Sequence, residues 1–224
     1  MATELILIRH GNAVRVNGHY RHAPLTVLGK QQATQTGLHL HQALPRLDGF
    51  YSSPLLRARE TAALIGSELG LSLQLQANLR EFEWIELPAL ALFETFAFLD
   101  PADVYLNAHA GKPLRWPLAG RVSQVLAGIV ARHPDGRVAV VAHCGVICAA
   151  LVWYFPQQRL QWWMTRVGNC SLTRLRVDGT CAELLGVDET AHLTPVSATN
   201  QPPAQTVSAA VRALQSRRPG LTRR

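Results

Sequence analysis

The chain has 224 residues, of which 48% are hydrophobic, and 22 Lys+Arg against 15 Asp+Glu give it a formal charge of +7. That apolar content excludes a disordered chain, and the length suits one domain with an appendage. The charge invites a nucleic-acid or membrane-surface reading, but residues 1–189 hold 17 basic and 15 acidic side chains while 190–224 hold five arginines and no acid, so most of the excess belongs to a tail.

Leu5 to Ile8 is a continuous apolar run and reads as a central strand buried on both faces, ending in Arg9-His10-Gly11. Thr26 caps a helix that reaches Leu44, with Leu28, Gln32, Thr36 and Leu40 at helical spacing. Phe50 to Ser52 is a second strand, and Pro54 then opens a helix over Leu56 to Leu69, stopped by Gly70. Leu71 to Leu75 is a third strand. Residues 82–116 are irregular and aromatic and are expected to cover a site. Arg121 to His133 is a helix, stopped by Pro134-Asp135-Gly136. The 21 residues between Arg137 and Arg159 lack any charge, but a β-branched half (Val138, Val140, Val141) precedes His143 and Gly145, and an Ala/Leu/aromatic half follows. That pattern reads as a buried strand to Ala142, a turn and a buried helix over Val146 to Phe155, rather than a membrane span. Cys170 to Val177 and Cys181 to Val187 form a hairpin across Asp178-Gly179. From residue 190 the Pro/Ser/Thr/Gln/Ala-rich chain is expected to be disordered. The whole reads as an α/β domain over 1–189 with a mostly parallel central sheet, helices on both faces and a C-terminal tail.

Ligands of such sheets lie beyond the carboxyl ends of the strands. His10 and His143 each follow a strand there, Arg57 stands one helical turn after the second, and Arg80-Glu81 follow the third. These residue types suit phosphoryl transfer. Two guanidiniums, Arg9 and Arg57, can grip a dianionic phosphate bidentately, which lysine cannot. A neutral imidazole is a competent nucleophile, the arginines lower its pKa, and a carboxylic acid can protonate the leaving oxygen. The chain lacks the clustered aspartates of a magnesium-dependent phosphatase, so no metal or cofactor is expected.

The blocks Leu7-Ile8-Arg9-His10-Gly11, Pro24 to Ala33, Tyr51-Ser52-Ser53-Pro54-Leu55-Leu56-Arg57-Ala58-Arg59-Glu60-Thr61-Ala62, Leu79-Arg80-Glu81, Val140-Val141-Ala142-His143 and Asn169-Cys170-Ser171-Leu172 occur in order. Together they resemble the histidine phosphatase superfamily, also called phosphoglycerate-mutase-like, over about residues 4–187. The resemblance implies His10 as a nucleophile that becomes phosphohistidine. It implies Arg9, Arg57 and His143 as holders of the phosphoryl oxygens, and Glu81 as proton donor and then base. Two positions depart from the family pattern. Cys144 stands where the family usually has Gly, and Val16 stands where it often has an Asn, with Asn17 one residue later as a candidate substrate contact.

Glu83 and Glu86 compete with Glu81 for the acid role, and the motif position favours Glu81. Arg59, His19 and His22 read as surface residues, and His39 and His41, two apart on a helix, are no metal pair. Cys144 reads as a small buried residue, with an oxidation-sensitive thiol beside cationic groups as the alternative. Four cysteines without paired spacing indicate reduced thiols and a cytoplasmic protein. Residues 82–116 carry five acids against two bases, which suits a mutase poorly. The expected partner is a small-molecule phosphate ester, with no nucleic acid and no membrane. A phosphomonoesterase is the favoured function, with a phosphoglycerate mutase or related phosphotransferase next and a non-catalytic phosphate-binding module third.

Overall fold

A computed structural model describes residues 2–14, 22–44, 46–81, 117–158, 161–162, 165 and 167–194. The expected covering segment 82–116, Asn17, Glu83, Glu86 and the tail beyond 194 lie outside the described residues. Strands and helices alternate: β1 (Thr3–Arg9), α1 (Val27–Ala43), β2 (Gly49–Ser52), α2 (Leu56–Leu69), β3 (Gln74–Leu75), α3 (Pro117–Arg132), β4 (Arg137–Ala142) and α4 (Cys144–Tyr154). The hairpin β5 (Leu172–Asp178) and β6 (Cys181–Glu189) closes the series, with Gly179 at φ +61° in its turn.

The sheet order is β3-β2-β4-β1-β5-β6. The first three pairings are parallel, and β5 and β6 add antiparallel. Strand alternation divides the core between the two faces of the sheet. Leu5, Leu7, Val138 and Val140 pack with Leu126, Ile129, Ile147 and Leu151 of α3 and α4. Ile6, Ile8, Ala139 and Val141 pack with Leu40, Ala58, Ala62 and Ile65 of α1 and α2.

The uncharged stretch after Arg137 resolves into β4 and α4, and no helix among the described residues is long and apolar enough to cross a membrane. Several expected boundaries move, and four of the shifts bear on the packing or the site. β3 is only two residues long, because Leu71 and Leu73 pack into the core from outside the sheet. α3 begins at Pro117, where proline's missing N–H costs nothing. α4 begins at Cys144, with His143 as its extended N-cap residue. Residues 190–193, assigned to the tail by composition, pack instead on α1: Leu193 lies against Ala33 and Cys170, and His192 Nε2 is 3.0 Å from Thr36 Oγ1 and 3.1 Å from the Cys170 carbonyl.

Candidate active site

Sheet register brings the predicted residues together. β1 and β4 run parallel with Arg9 opposite Ala142, so His10 and His143 leave adjacent strands at one level. The His10 N–H donates to the Ala142 carbonyl at 3.0 Å, and the two imidazole centroids are 5.2 Å apart. β2 ends alongside, with the Ser53 N–H donating to the Val141 carbonyl at 3.0 Å.

His10 is buried and its two nitrogens are distinguished. Nδ1 lies 2.8 Å from the Gly11 carbonyl, which only accepts, so Nδ1 carries the proton. Nε2 therefore presents a lone pair, and Arg57 Nε donates to it at 3.1 Å. Burial, followed by the charges of Arg9 and Arg57, holds the imidazole pKa well below its ordinary 6.5, so the ring is neutral at physiological pH. Arg57 is itself buried in the first turn of α2.

His143 is fully buried. Its Nε2 is 2.8 Å from Ser53 Oγ, and its Nδ1 has no partner among the described residues. Burial first, then His10, Arg57, Arg9 and Arg121, also push its pKa well down. The Arg9 guanidinium donates through one terminal nitrogen to the Val167 carbonyl, while its Nε is buried without a partner among the described residues. Two buried nitrogens without a partner among the described residues stand beside buried Arg57, and because unpaired buried polar groups are costly they mark the place where an anion's oxygens would be held. Glu81 reaches the same place: its Oε2 accepts the Gly145 N–H at 3.1 Å, two residues beyond His143. Arg9, His10, Arg57, Glu81 and His143 thus converge as the sequence predicts. Arg59 is exposed, as are His22 and His41, while His39 stacks on His192 at 4.9 Å.

Four supporting residues escaped sequence reasoning. Ser53 holds His143. Thr61, one turn after Arg57, accepts the Gly11 N–H at 3.0 Å. Asn169 donates to the His10 carbonyl at 2.8 Å. Arg121 adds positive charge near His143 while donating to the Arg80 carbonyl at 2.7 Å. Ser53, Thr61 and Asn169 had a signal, their places in the Tyr51 to Ala62 and Asn169 to Leu172 blocks, and Arg121 had none.

The sequence profile of the histidine phosphatase superfamily (branch 1) matches residues 5–190. The chain belongs to that superfamily. Among its relatives is the mitochondrial serine/threonine-protein phosphatase Pgam5 of Caenorhabditis briggsae, 29% identical over 202 residues. The alignment covers 85% of this chain but 64% of Pgam5, so the chain spans just under two thirds of that relative. The uncharacterized phosphatase PhoE of Bacillus subtilis strain 168 is 28% identical over 153 residues, 66% of this chain and 76% of PhoE. A mycobacterial glucosyl-3-phosphoglycerate phosphatase structure superposes with a TM-score of 0.66 at 26% identity, covering 85% of this chain and all of that one. In this superfamily chain, then, the strand-end cluster is built around one neutral imidazole whose Nε2 lone pair faces a guanidinium.

Proposed function

We propose that the protein is a phosphomonoesterase that hydrolyses small phosphate esters through a phosphohistidine on His10. The observation that carries this reading is the tautomer of His10, with Nδ1 tied to the Gly11 carbonyl and Nε2 left as a lone pair against Arg57. Arg9, Arg57 and His143 bind the dianion and stabilise charge as it spreads over the equatorial oxygens. His10 Nε2 attacks phosphorus and the ester P–O bond breaks. Glu81, protonated, gives its proton to the departing oxygen. The ring is now cationic, and its Nδ1–H bond to the Gly11 carbonyl strengthens. Water then attacks phosphorus, the Glu81 carboxylate takes its proton, the P–N bond breaks, and neutral His10 returns with free phosphate.

The names of Pgam5 and of the mycobacterial phosphatase support ester hydrolysis as the reaction class. The acidic balance of residues 82–116 favours hydrolysis over a mutase, which must retain a second anionic group. The test is a colorimetric ester assay with excess chelator, together with a quench under single-turnover conditions. The expected result is phosphate release that survives the chelator and falls at least 1000-fold in His10→Ala, with an acid-labile, base-stable phosphoenzyme trapped in the wild type. Interconversion of phosphoglycerates faster than phosphate release would establish the mutase instead. Ligand binding without turnover would leave a binding module.

A further inference from the structure

The proposed reaction uses no thiol, yet two cysteines stand directly behind the second histidine. Cys144 is the first residue of α4 and is partly exposed, and Cys148, one turn later, is buried. Residues i and i+4 share a helix face. Both Sγ atoms approach the Thr165 carbonyl, at 3.9 Å from Cys144 and 3.3 Å from Cys148, so one acceptor gathers the two thiols.

We propose that Cys144 and Cys148 form a peroxide-responsive dithiol, a modification site that disassembles the active site when it oxidises. Their surroundings divide the roles. The neighbouring Cys148 thiol, with the charge of Arg9, lowers the Cys144 pKa to about 6, whereas the Cys144 neighbour and burial raise that of Cys148. The start of a helix favours a thiolate in the same way. Cys144 is the nucleophile and Cys148 the resolving thiol. The Cys144 thiolate attacks a peroxide oxygen and the O–O bond breaks. The released hydroxide takes a proton to leave as water, and Cys144 is left as sulfenic acid. The Cys148 sulfur then attacks that sulfur and the S–O bond breaks. A second water departs with the Cys148 proton, and a disulfide remains. In total, two thiols are oxidised and one peroxide is reduced to two waters.

Closure has a structural cost that supplies the effect. Disulfide Cβ atoms lie about 3.5–4.5 Å apart, closer than the roughly 5–6 Å of residues one helical turn apart. The first turn of α4 must rewind. That turn carries His143 at its N-cap and the Gly145 N–H that holds Glu81, so oxidation displaces both from His10. A histidine nucleophile has no peroxide chemistry of this kind, so sensitivity would trace to these thiols.

Arg137 and Arg159 bound a segment without Lys or Arg, so trypsin releases Cys144 and Cys148 in one peptide, 138–159. Exposed Cys181, at the far end of the sheet, is replaced by serine to prevent cross-linking. Reduced full-length Cys181→Ser protein is treated with hydrogen peroxide, denatured, alkylated with iodoacetamide and digested. The expected product is peptide 138–159 two mass units below its reduced form, without alkyl groups until dithiothreitol restores both sites. In Cys148→Ser, dimedone instead labels Cys144. Activity should return with dithiothreitol in the parent protein, and Cys144→Ser should lose activity to peroxide at least 10-fold more slowly. Thiol counting reads this chemistry whether or not the protein hydrolyses esters. Full alkylation of both cysteines after peroxide overturns the proposal, as does a lasting dimedone adduct on Cys144 with Cys148 still alkylated. Equal inactivation of Cys144→Ser and its parent overturns the link to the site.

Discussion

Arg57 combines charge, shape and position in one side chain. It is 5% exposed and donates through Nε to the nucleophilic nitrogen, and a guanidinium has the planar fork shape that matches a phosphoryl face. Lysine at this position keeps the charge but has neither the Nε–H nor the fork. Arg57→Lys should therefore lower kcat/KM for a small ester by about 100-fold, the usual loss for one donor to developing charge. Steady-state rates within threefold of wild type would remove Arg57 from the transition state. Ser53 acts at one remove, since its Oγ is 2.8 Å from His143 Nε2. Ser53→Ala should cost several-fold in kcat, the scale of one neutral hydrogen bond, with circular dichroism unchanged. A wild-type kcat would show that packing alone orients His143. The reactive residues were legible because each follows a strand or opens a helix, where chain direction fixes position. The residues that hold them were not. Asn169 bonds the His10 carbonyl across 159 positions of sequence, and its place in the Asn169 to Leu172 block does not report which group it holds.

Among the elements, the contact between the chain after β1 and the start of α1 sets how well His10 is held. Gly11 supplies the carbonyl that fixes the tautomer, and Thr26 caps α1 by accepting the Gly29 N–H at 2.9 Å while its own N–H donates to the Asn12 carbonyl at 3.0 Å. Two backbones meet here with no room for a side chain. A Cβ on Gly29 would lie 2.0 Å from the Asn12 carbonyl oxygen, and one on Gly11 would lie 2.5 Å from that of Gly29. Gly128 has nothing within 4 Å of its Cβ position, in the interior of α3. The same substitution should thus act with opposite sign. Gly29→Ala forces α1 off its neighbour and should destabilise the protein by about 3 kcal/mol or more. Gly128→Ala gains helix propensity and should stabilise it by about 0.5–1 kcal/mol. Urea unfolding of both variants is the check, and a stable Gly29→Ala protein would contradict the close approach. Sequence reading found α2 to the residue because Pro54 and Gly70 punctuate it. It placed the start of α4 two residues late because Cys144-Gly145 resembles a turn. The glycine instead stands inside the first turn, where its N–H meets Glu81.

At the scale of the whole molecule, the charge of +7 does not predict how the protein answers to acid. Arginines stay protonated throughout the working range, so the five beyond residue 189 add no pH dependence of their own. The response comes instead from buried histidines. His10 and His143 are held well below 6.5, chiefly by burial, and His192, half-buried beside His39, falls to about 4. In the unfolded chain these three take up protons near pH 6.5. Below that pH the unfolded state binds more protons than the folded one, so stability falls as pH drops from about 6.5 toward 4. Cys144, lowered to about 6 from an ordinary 9, works in the same sense at higher pH: its contribution is complete above pH 9 and is lost as pH falls toward 6. Asp188, raised by burial, opposes this trend, but its ordinary value of 3.8 places that effect at the acid end of the window. Rising net positive charge adds self-repulsion in the same direction as the histidines. Urea midpoints should therefore fall gently from pH 8 to 7 and steeply from pH 6.5 to 4.5. The steep region should correspond to uptake of two to three protons on unfolding. A midpoint that holds or rises over the steep region would mean that the histidines titrate freely in the fold, and His10 would then lose the neutral lone pair on which the proposed chemistry depends.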